Sequence, residues 1–398
     1  MKAATSNLAL VLAYLTYLLF GMSLSGIGPI LGELAGQAAT SLAAIGGVLT
    51  FLFLGSLVAQ IAAGPLTDLL GKKPVLIVAL LMLSGGILGF TSARSLAWMF
   101  LLVLLTGLGQ GGVDMGANLV VAEAAPKDST AALNVLHFFF GLGAFVGPAL
   151  VAVAIGFSGS GLIIYRGMAA GFLALALANA VFLEARFPRQ AAPTTIEALP
   201  SMRLNVYFSP LVWLLGGLML VYVGLEFGLG SWISSYMNIT TATTAQDGAW
   251  ATSAYWGALA IGRLAGAAAS RKLAPVRLVA AALGGSLLGG IGLFVAQGTI
   301  LPTMLCLVWV SFSFGTVYPT ALAIAADAFA QNRGKAVGVL VAMGSIGGIT
   351  LPWFAGLLLT SVASFAYLWF VVLAMACLLI ILFYANRALT NHSYSHST

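Results

Sequence analysis

Residues 64–74 of this 398-residue chain have the sequence GPLTDLLGKKP, which joins two long apolar runs. The runs on either side cover about residues 42–67 and 74–93, and about 20 apolar residues are enough to cross a bilayer as a helix. An aspartate followed by a glycine predicts a turn where the first run ends, and two lysines follow that turn directly. A short basic turn between two spanning helices is typical of a membrane protein with several spans.

The composition extends this pattern to the whole chain. Hydrophobic residues make up 61% of it and charged residues 7%, whereas a soluble domain carries about 25% charged residues. Soluble enzymes, disordered chains and disulfide scaffolds are excluded, and we expect Cys306 and Cys377, both within apolar runs, to serve packing. Continuous rather than alternating apolar runs exclude a membrane β-barrel.

The hydropathy pattern predicts twelve spans in two halves. They are expected at about residues 8–31, 42–67, 74–93, 96–122, 131–156, 161–184, 208–236, 247–269, 275–297, 300–326, 335–360 and 363–386. Between the sixth and seventh lies the longest polar stretch, which holds three prolines. We therefore predict an N-terminal six-helix bundle at 1–184, a cytoplasmic linker at 185–207, and a C-terminal six-helix bundle with a short cytoplasmic tail at 208–398.

Lysine and arginine mark one side of the membrane. The residues expected on that side are Lys2, Lys72, Lys73, Lys127, Arg186, Arg189, Arg203, Arg271, Lys272, Arg277, Arg333, Lys335 and Arg387, with Arg94 and Arg166 opposite. Positive charge accumulates on the cytoplasmic side, so both termini are predicted to be cytoplasmic in a plasma (inner) membrane.

The net charge of +6 is spread over many loops and does not indicate nucleic-acid binding. The apolar stretch after Lys2 is longer than a signal-peptide core, so we expect a first span rather than a cleaved leader.

The two halves repeat each other. A shift of about 204 residues aligns glycines and a proline at equivalent points of spans four and five. The aligned pairs are Gly111 with Gly315, Gly143 with Gly347, Pro148 with Pro352, and Glu123 with Asp327. Such a repeat predicts two similar bundles with a substrate site between them near the middle of the membrane.

The stretch at 64–74 resembles the signature loop of the major facilitator superfamily. The matching residues are Gly64, Asp68, Gly71, Lys72 and Lys73, and the chain departs at Leu69, where the family often has arginine. A degraded second copy follows span eight at 262–272, and GLGAFVGP at 141–148 resembles the family's span-five motif. The resemblance implies an all-α membrane protein of the major facilitator fold, with twelve transmembrane helices in two six-helix bundles.

The same charges predict a cytoplasmic gate. The Asp68 carboxylate can accept hydrogen bonds from a neighbouring helix N-terminus. Lys72 and Lys73 can pair with acids across the cytoplasmic mouth, and such pairs would break when the gate opens. The candidate gate residues are Gly64, Asp68, Gly71, Lys72, Lys73, Glu123, Arg263, Arg271, Asp327 and Arg333. The alternative is that these charges only mark topology.

Span four resembles one particular family within this superfamily. Its sequence GQGGVDMGAN at 109–118, with Leu-Asn opening span five, resembles the fucose–galactose–glucose:proton symporters. In that family the span-four acid handles protons and touches sugar, and the matching position is Asp114. Span seven at 222–232 is similar to the sodium-dependent glucose transporter branch. The fucose symporter has a second acid in span one, but residues 21–29 contain none, so the proton chemistry is either shifted onto Glu226 or absent.

Asp114 and Glu226 are the candidates for proton or ion coupling. A charged side chain at mid-bilayer costs about 2.5–3.5 kcal/mol, so such a residue faces the interior and is usually functional. Burial favours the protonated form of a carboxyl group, which allows reversible protonation near the working pH. The alternative is a neutral, hydrogen-bonded acid that ties helices together.

Amide, phenol and indole groups suit a sugar, which is bound through its hydroxyls and by an aromatic face. The candidate substrate-binding residues are Gln110, Asn118, Asn134, His137, Tyr222, Trp232, Trp256, Tyr318 and Trp353. Under the repeat Tyr318 aligns with Asp114, so both should face one cavity. The alternatives are packing for His137 and ordinary lipid-facing or interface positions for the aromatic residues.

These observations predict a secondary active transporter that moves a small neutral solute, a monosaccharide, by proton- or sodium-coupled symport through alternating access. Arg166 is expected at an outer end and Arg263 near a cytoplasmic end, so the absence of a central cation disfavours organic anions. The alternatives are a proton-driven exporter of hydrophobic or cationic compounds and a non-transporting sensor with the same fold.

The sequence does not indicate an enzyme. It contains no nucleotide loop, no metal-ligand cluster and no nucleophile with a matched base, so we expect neither a cofactor nor a metal site. The expected partners are the solute, a coupling ion (H⁺ or Na⁺) and the lipid bilayer, and the protein is expected to function as a monomer.

Overall fold

The computed structural model describes residues 2–125, 128–182 and 206–395, and within these ranges every regular element is a helix. The first half contains α1 (Lys2–Ser25), α2 (Ile27–Gln37), α3 (Leu42–Ile45), α4 (Gly47–Leu70), α5 (Lys72–Phe90), α6 (Leu96–Ala124), α7 (Ser129–Ser158) and α8 (Leu162–Phe182). The second half contains α9 (Pro210–Thr241), α10 (Ala245–Ala269), α11 (Pro275–Ala296), α12 (Ile300–Phe314), α13 (Val317–Ala328), α14 (Arg333–Leu357) and α15 (Ser364–Ser395). A π-helical turn, Leu358–Val362, ends the eleventh span.

Three predicted spans are helices broken at a glycine. Span one breaks at Gly26 between α1 and α2, span two at Gly46 between α3 and α4, and span ten near Gly315 between α12 and α13. A break in a spanning helix is tolerated where other groups satisfy the freed backbone. At the third break the Tyr222 hydroxyl donates to the carbonyl oxygen of Phe314 at 2.9 Å.

Among the described residues, eleven helical segments are long and apolar enough to cross a membrane. The predicted eighth span, α10, is not among them, because its sequence includes Gln246, Asp247, Arg263 and many alanines. It packs against α7, α9 and α12, between the two halves. A helix flanked by protein does not need an apolar surface all round, which explains how α10 fills the twelfth position.

The sequence repeat is also a repeat of packing. In the first half α1 packs on α7 and α4 on α6, and in the second α9 packs on α14 and α10 on α12. Equivalent glycines form the closest approaches: a Cβ atom on Gly143 would overlap the carbonyl oxygen of Leu18, and one on Gly347 that of Leu220. The fold is therefore two six-helix bundles of the same design, as the resemblance implied.

The halves meet most closely at the end of the molecule away from both termini, which we call the outer end. There α2 packs on α9 and α10. Along the seam the Thr50 hydroxyl donates to the carbonyl oxygen of Ile349, and the Ser253 hydroxyl to that of Phe145, each at 2.8 Å. The two halves are thus closed over the outer end.

Towards the opposite, inner end the halves diverge. A Cβ atom added to Gly334 or Gly338 of α14 would have no neighbour within 4 Å, and one on Gly64 of α4 would meet only Met115 of its own half. The hydrogen bonds described above between the halves lie in the outer parts of their helices, so together these observations indicate that the space between the bundles opens at the inner end.

Several predicted features lie outside the described residues. These are Lys127, Arg186, Arg189, Arg203 and most of the linker predicted at 185–207, of which only its last two residues are described. The domain boundaries and the side of the membrane on which the termini lie therefore remain predictions.

Candidate functional site

The Asp114 carboxylate of α6 lies against α1. The Tyr17 hydroxyl donates to Asp114 Oδ1 at 2.7 Å and approaches the Asp114 carbonyl oxygen at 3.1 Å. One helical turn further along α6, Asn118 Nδ2 donates to the Asp114 carbonyl oxygen at 2.7 Å and contacts the same tyrosine hydroxyl. Asp114, Asn118 and Tyr17 therefore form one hydrogen-bonded cluster, which we call the Asp114 cluster.

The predicted residues of α7 lie beside this cluster. The His137 ring is edge-on to the Tyr17 ring, with 5.7 Å between centroids, and it interacts electrostatically with Asp114. Asn134 is on the same side of α7, almost one turn away, and both side chains are exposed. They therefore line the space that opens towards the inner end.

Glu226 is the acid that the second half contributes. It is buried near the middle of α9, and its Oε1 lies 3.4 Å from Nη2 of Arg263 on α10. The Tyr222 hydroxyl lies next to this carboxylate, and the Tyr255 hydroxyl donates to the Glu226 carbonyl oxygen at 3.0 Å. This pair, which we call the Glu226–Arg263 pair, gives the second half one buried acid and one cation.

The position of Arg263 corrects the sequence analysis. It was expected near the cytoplasmic end of span eight, as a gate residue, but its guanidinium reaches the buried centre of α9. A long, flexible arginine side chain carries its charge several ångströms from its own backbone, so the position of the residue in the span did not locate the charge. Arg263 is 34% exposed and interacts electrostatically with His137 across the two halves.

Tyr318 connects the two acids. It lies in the first turn of α13, directly after the break in span ten, and is half-buried. Its hydroxyl is within electrostatic range of Asp114, Glu226 and Arg263. Asp114 and Glu226 therefore belong to one site between the bundles.

An aromatic group borders this site. The Phe227 ring lies 4.9 Å from Phe53 of α4 and 5.4 Å from Trp256 of α10, measured between centroids. Trp256 is 3% exposed, and its Nε1 has no hydrogen-bond partner in the described part of the chain. Buried donors are normally paired, so this indole N–H, on a ring that packs against Phe227 and Gly230, is an unusual free donor.

Three predicted substrate-binding residues are not brought to this site. Gln110 is buried within the first half, where it lines a cavity of about 10 Å³ with Ser23, Thr106 and Tyr165. Trp232 is fully buried at the outer end, and its Nε1 donates to the Pro352 carbonyl oxygen at 2.7 Å. Trp353 is 43% exposed, on the side of α14 that faces away from its buried glycines.

The predicted gate residues lie at the inner end. Lys72 Nζ contacts Glu123 Oε1, which joins α5 to α6 inside the first half rather than the two halves across the mouth. Arg333 Nε donates to the Ala326 carbonyl oxygen at 3.3 Å, within the second half. Gly71, between α4 and α5, has φ of +86°, a conformation that favours glycine. The remaining gate residues with exposed side chains are Asp68, Arg271 and Asp327.

Sequence reasoning missed Tyr17 and Phe227. The family resemblance suggested an acid at residues 21–29 of span one, but the polar side chain that contacts Asp114 is that of Tyr17, one turn earlier. Phe227 could have been found, because it directly follows Glu226 in the sequence. The described residues contain no group of three or more His, Cys, Asp or Glu side chains that could hold a metal ion.

Comparison with known proteins identifies the family. The family model of the Major Facilitator Superfamily matches residues 13–330 and 241–396. The chain is 22% identical over 392 residues to sodium-dependent glucose transporter 1 of Xenopus laevis, covering 91% of this chain and 78% of that protein. It is 27% identical over 213 residues to the inner membrane transport protein YdiN of Escherichia coli (strain K12), a match that covers 52% of this chain and 48% of that protein.

The fold has solved counterparts. The nucleoside transporter NupG superposes with a TM-score of 0.79 at 14% identity, covering 96% of this chain and 99% of that chain. With the family model extending over nearly the whole sequence, the chain belongs to the major facilitator superfamily and is a multi-pass membrane transporter, not an enzyme.

Proposed function

We propose that this transporter moves a small neutral solute, a monosaccharide, in symport with a cation through alternating access. The observation that carries the proposal is the pair of acids facing one cleft, Asp114 from the first half and Glu226 from the second, with Tyr318 in range of both. An acid within a membrane span is costly and is a functional candidate by default. Two such acids on opposite sides of a cleft can bind a coupling ion while the halves rearrange around it.

The groups around the acids suit hydroxyl recognition. Asn118 and Tyr318 offer side chains that can both donate and accept hydrogen bonds, and the indole N–H of Trp256 is a donor without a partner. The rings of Phe227 and Trp256 supply an apolar face of the kind that packs against the C–H side of a sugar. The likeness to a sodium-dependent glucose transporter over 91% of the chain supports the same solute class.

Proton coupling is assigned to Asp114. Its half-buried carboxylate interacts with His137, whose side chain is exposed, and it has no cation in hydrogen-bond contact among the described residues. Glu226 is held by Arg263, so we assign it the second role, sensing the solute or the ion through the Glu226–Arg263 pair.

The test is uptake into proteoliposomes containing the purified protein, with a panel of labelled monosaccharides and an imposed pH or sodium gradient. One sugar should accumulate above its outside concentration under one of the two gradients. Asp114→Asn should abolish this uphill uptake and retain exchange, because a neutral amide can still hold the solute. Wild-type accumulation in Asp114→Asn would exclude the coupling role, and no uptake of any sugar would exclude the monosaccharide.

A second solute class, small organic anions, is favoured by one observation. Arg263 brings a cation to the centre, where the sequence had predicted none, and its guanidinium lies 3.4 Å from Glu226 Oε1. A guanidinium has five N–H donors and pairs well with a carboxylate. Labelled monocarboxylates therefore belong in the same uptake panel, and Arg263→Lys should then impair their uptake more than that of a sugar.

The remaining assignments are also proposals. We propose a plasma (inner) membrane location with both termini in the cytoplasm, from the distribution of lysine and arginine, and a functional monomer. Single cysteines placed in the α8–α9 linker and in the loop between α7 and α8 should label from opposite sides with a membrane-impermeant thiol reagent.

A further inference from the structure

The Asp114 carboxylate depends on few hydrogen-bond donors. Tyr17 donates to its Oδ1 at 2.7 Å, and Asn118 Nδ2 lies at 3.4 Å from the same oxygen. A carboxylate that lies against a neighbouring helix is stabilised chiefly by the donors in direct contact with it. The hydroxyl of Tyr17 is therefore the main group that can hold this charge.

The direction of the hydrogen bond is fixed by a third group. Asn118 Nδ2 faces the Asp114 carbonyl oxygen, which can only accept, so the amide orientation is determined. The same amide nitrogen contacts the Tyr17 hydroxyl oxygen and donates to it. The hydroxyl has one hydrogen, and its oxygen accepts from Asn118, so that hydrogen is directed at Asp114. There the carboxylate Oδ1, at 2.7 Å, is a closer acceptor than the carbonyl oxygen, at 3.1 Å.

The Tyr17 ring is held rigidly. It is 1% exposed and contacts Phe20, His137 and Phe140 edge-on, with centroid distances of 5.7, 5.7 and 6.4 Å. The ring cannot follow the carboxylate if Asp114 turns away. The hydroxyl therefore favours one rotamer of Asp114 over the others.

We propose that Tyr17 is a positioning residue that fixes the Asp114 carboxylate and sets the pH at which Asp114 releases its proton into the cleft. The inference rests on the proposed role of Asp114 as the proton site. In the step concerned, the O–H bond of the Asp114 carboxylic acid breaks and the proton passes to water in the cleft. The carboxylate that remains is stabilised by the Tyr17 hydroxyl, which keeps its own proton.

The other groups that face Asp114 do not replace this donor. His137 of α7 and Tyr318 of α13 interact with it electrostatically, and Arg263 of α10 lies beyond His137. The helices α4 and α5 face α6 nearby with Ser56, Ala59 and Ala79, which do not titrate. Loss of the Tyr17 hydroxyl should therefore directly destabilise the ionised form of the Asp114 carboxylate.

The test needs no knowledge of the solute. Infrared difference spectra of the purified full-length protein in lipid are recorded across a pH titration, and the carboxylic-acid C=O band of Asp114 is identified by its loss in Asp114→Asn. In Tyr17→Phe the ring packing is kept and only the donor is lost. The pH at which the band is half-formed should move upward by about one unit, because hydrogen bonds to a charged group are the strong ones.

The matched control is Tyr14→Phe, one turn earlier on α1, where the half-buried ring stacks on Phe139. Its midpoint should equal that of the wild type. Asn118→Ala frees the Tyr17 hydroxyl hydrogen to turn away from Asp114, so the midpoint pH should shift upward by a smaller amount. This variant provides the test if Tyr17→Phe does not fold. Equal midpoints in Tyr17→Phe and Tyr14→Phe would overturn the inference alone. Absence of any Asp114-dependent band would overturn the proton site as well.

Discussion

At the residue scale, the site combines two acids with different partners. Asp114 is held by the neutral donors Tyr17 and Asn118, whereas Glu226 is held by the cation Arg263. The contacting partners of the two acids therefore differ in charge. This difference is the reason for proposing Asp114 as the proton site and Glu226 as a charge-paired sensor.

The Glu226–Arg263 pair leads to a prediction about stability. Arg263→Ala leaves a buried carboxylate without its cation and should lower the apparent melting temperature, by the equivalent of about 1 kcal/mol, since Arg263 is one-third exposed and its charge is screened. Thermal unfolding in detergent measures this. The double variant Glu226→Gln/Arg263→Ala should recover most of the loss, and a double variant as unstable as the single one would contradict the pairing.

The unpaired indole of Trp256 gives a prediction about affinity. Trp256→Phe keeps a ring against Phe227 but removes a donor that has no partner among the described residues. The melting temperature should hardly change, while the KM for the transported solute should rise about tenfold, which corresponds to one lost hydrogen bond. Trp98→Phe, at an exposed position, is the control. A loss of stability without a change in KM would make Trp256 a packing residue.

Sequence alone could find the acids but not their partners. Asp114 and Glu226 stand out because a charge in an apolar run is costly wherever its side chain points. Tyr17 does not stand out, since tyrosine is common in spans and its role depends on which helix faces it. Arg263 was identified as a charged residue of span eight, but the position of its guanidinium was predicted wrongly. The flexible side chain can reach in either direction along the helix.

At the element scale, glycine determines how closely helices approach. Gly347 lets α14 touch the backbone of α9 at Leu220, just as Gly143 lets α7 touch α1 at Leu18.

The repeat of these glycines could be predicted from a 204-residue shift. The breaks at Gly26, Gly46 and Gly315 could not, because a glycine within an apolar run does not show whether the helix continues. The polar residues of α10 are compatible with its predicted place among the spans, because protein rather than lipid surrounds much of this helix.

The close approach of α14 and α9 can be tested with two alanine substitutions on one helix. Gly347→Ala adds a methyl group that overlaps the Leu220 carbonyl oxygen, and overpacking of this kind costs about 1–3 kcal/mol. Gly338→Ala adds the same methyl group where nothing lies within 4 Å. The first variant should melt several degrees lower than the wild type and the second should be unchanged or slightly more stable. Equal melting temperatures would contradict the packing described for α14.

At the scale of the whole molecule, the halves are closed at the outer end and apart at the inner end. The closure centres on Trp232 of α9, whose ring lies against Gly46 from the first half and Gly356 of α14. The two-bundle design could be predicted from the repeat, the linker and the family resemblance. The conformational state of the protein could not be predicted. Under the proposed alternating access, the same sequence supports an inward-open and an outward-open arrangement that differ by a few kcal/mol.

Alternating access requires the Trp232 ring to leave this position in the other state, and a leucine at Gly46 tests that requirement. Even a Cβ atom there would lie 2.8 Å from the Trp232 ring, so Gly46→Leu should disfavour outer closure by about 1–3 kcal/mol, which is a factor of about 5–150 in the ratio of inward-open to outward-open protein. The reporter is His137→Cys, which lines the inward-open space, with Cys306 and Cys377 replaced by serine. A membrane-impermeant thiol reagent should label it from the inner side in the parent protein.

In Gly46→Leu, inner-side labelling should slow and outer-side labelling should appear, because the inward-open population falls. Gly36→Leu is the matched control, because Gly36 is exposed and a Cβ atom there has no described atom within 4 Å. Unchanged labelling in Gly46→Leu would mean that the ring of Trp232 is not part of the moving closure.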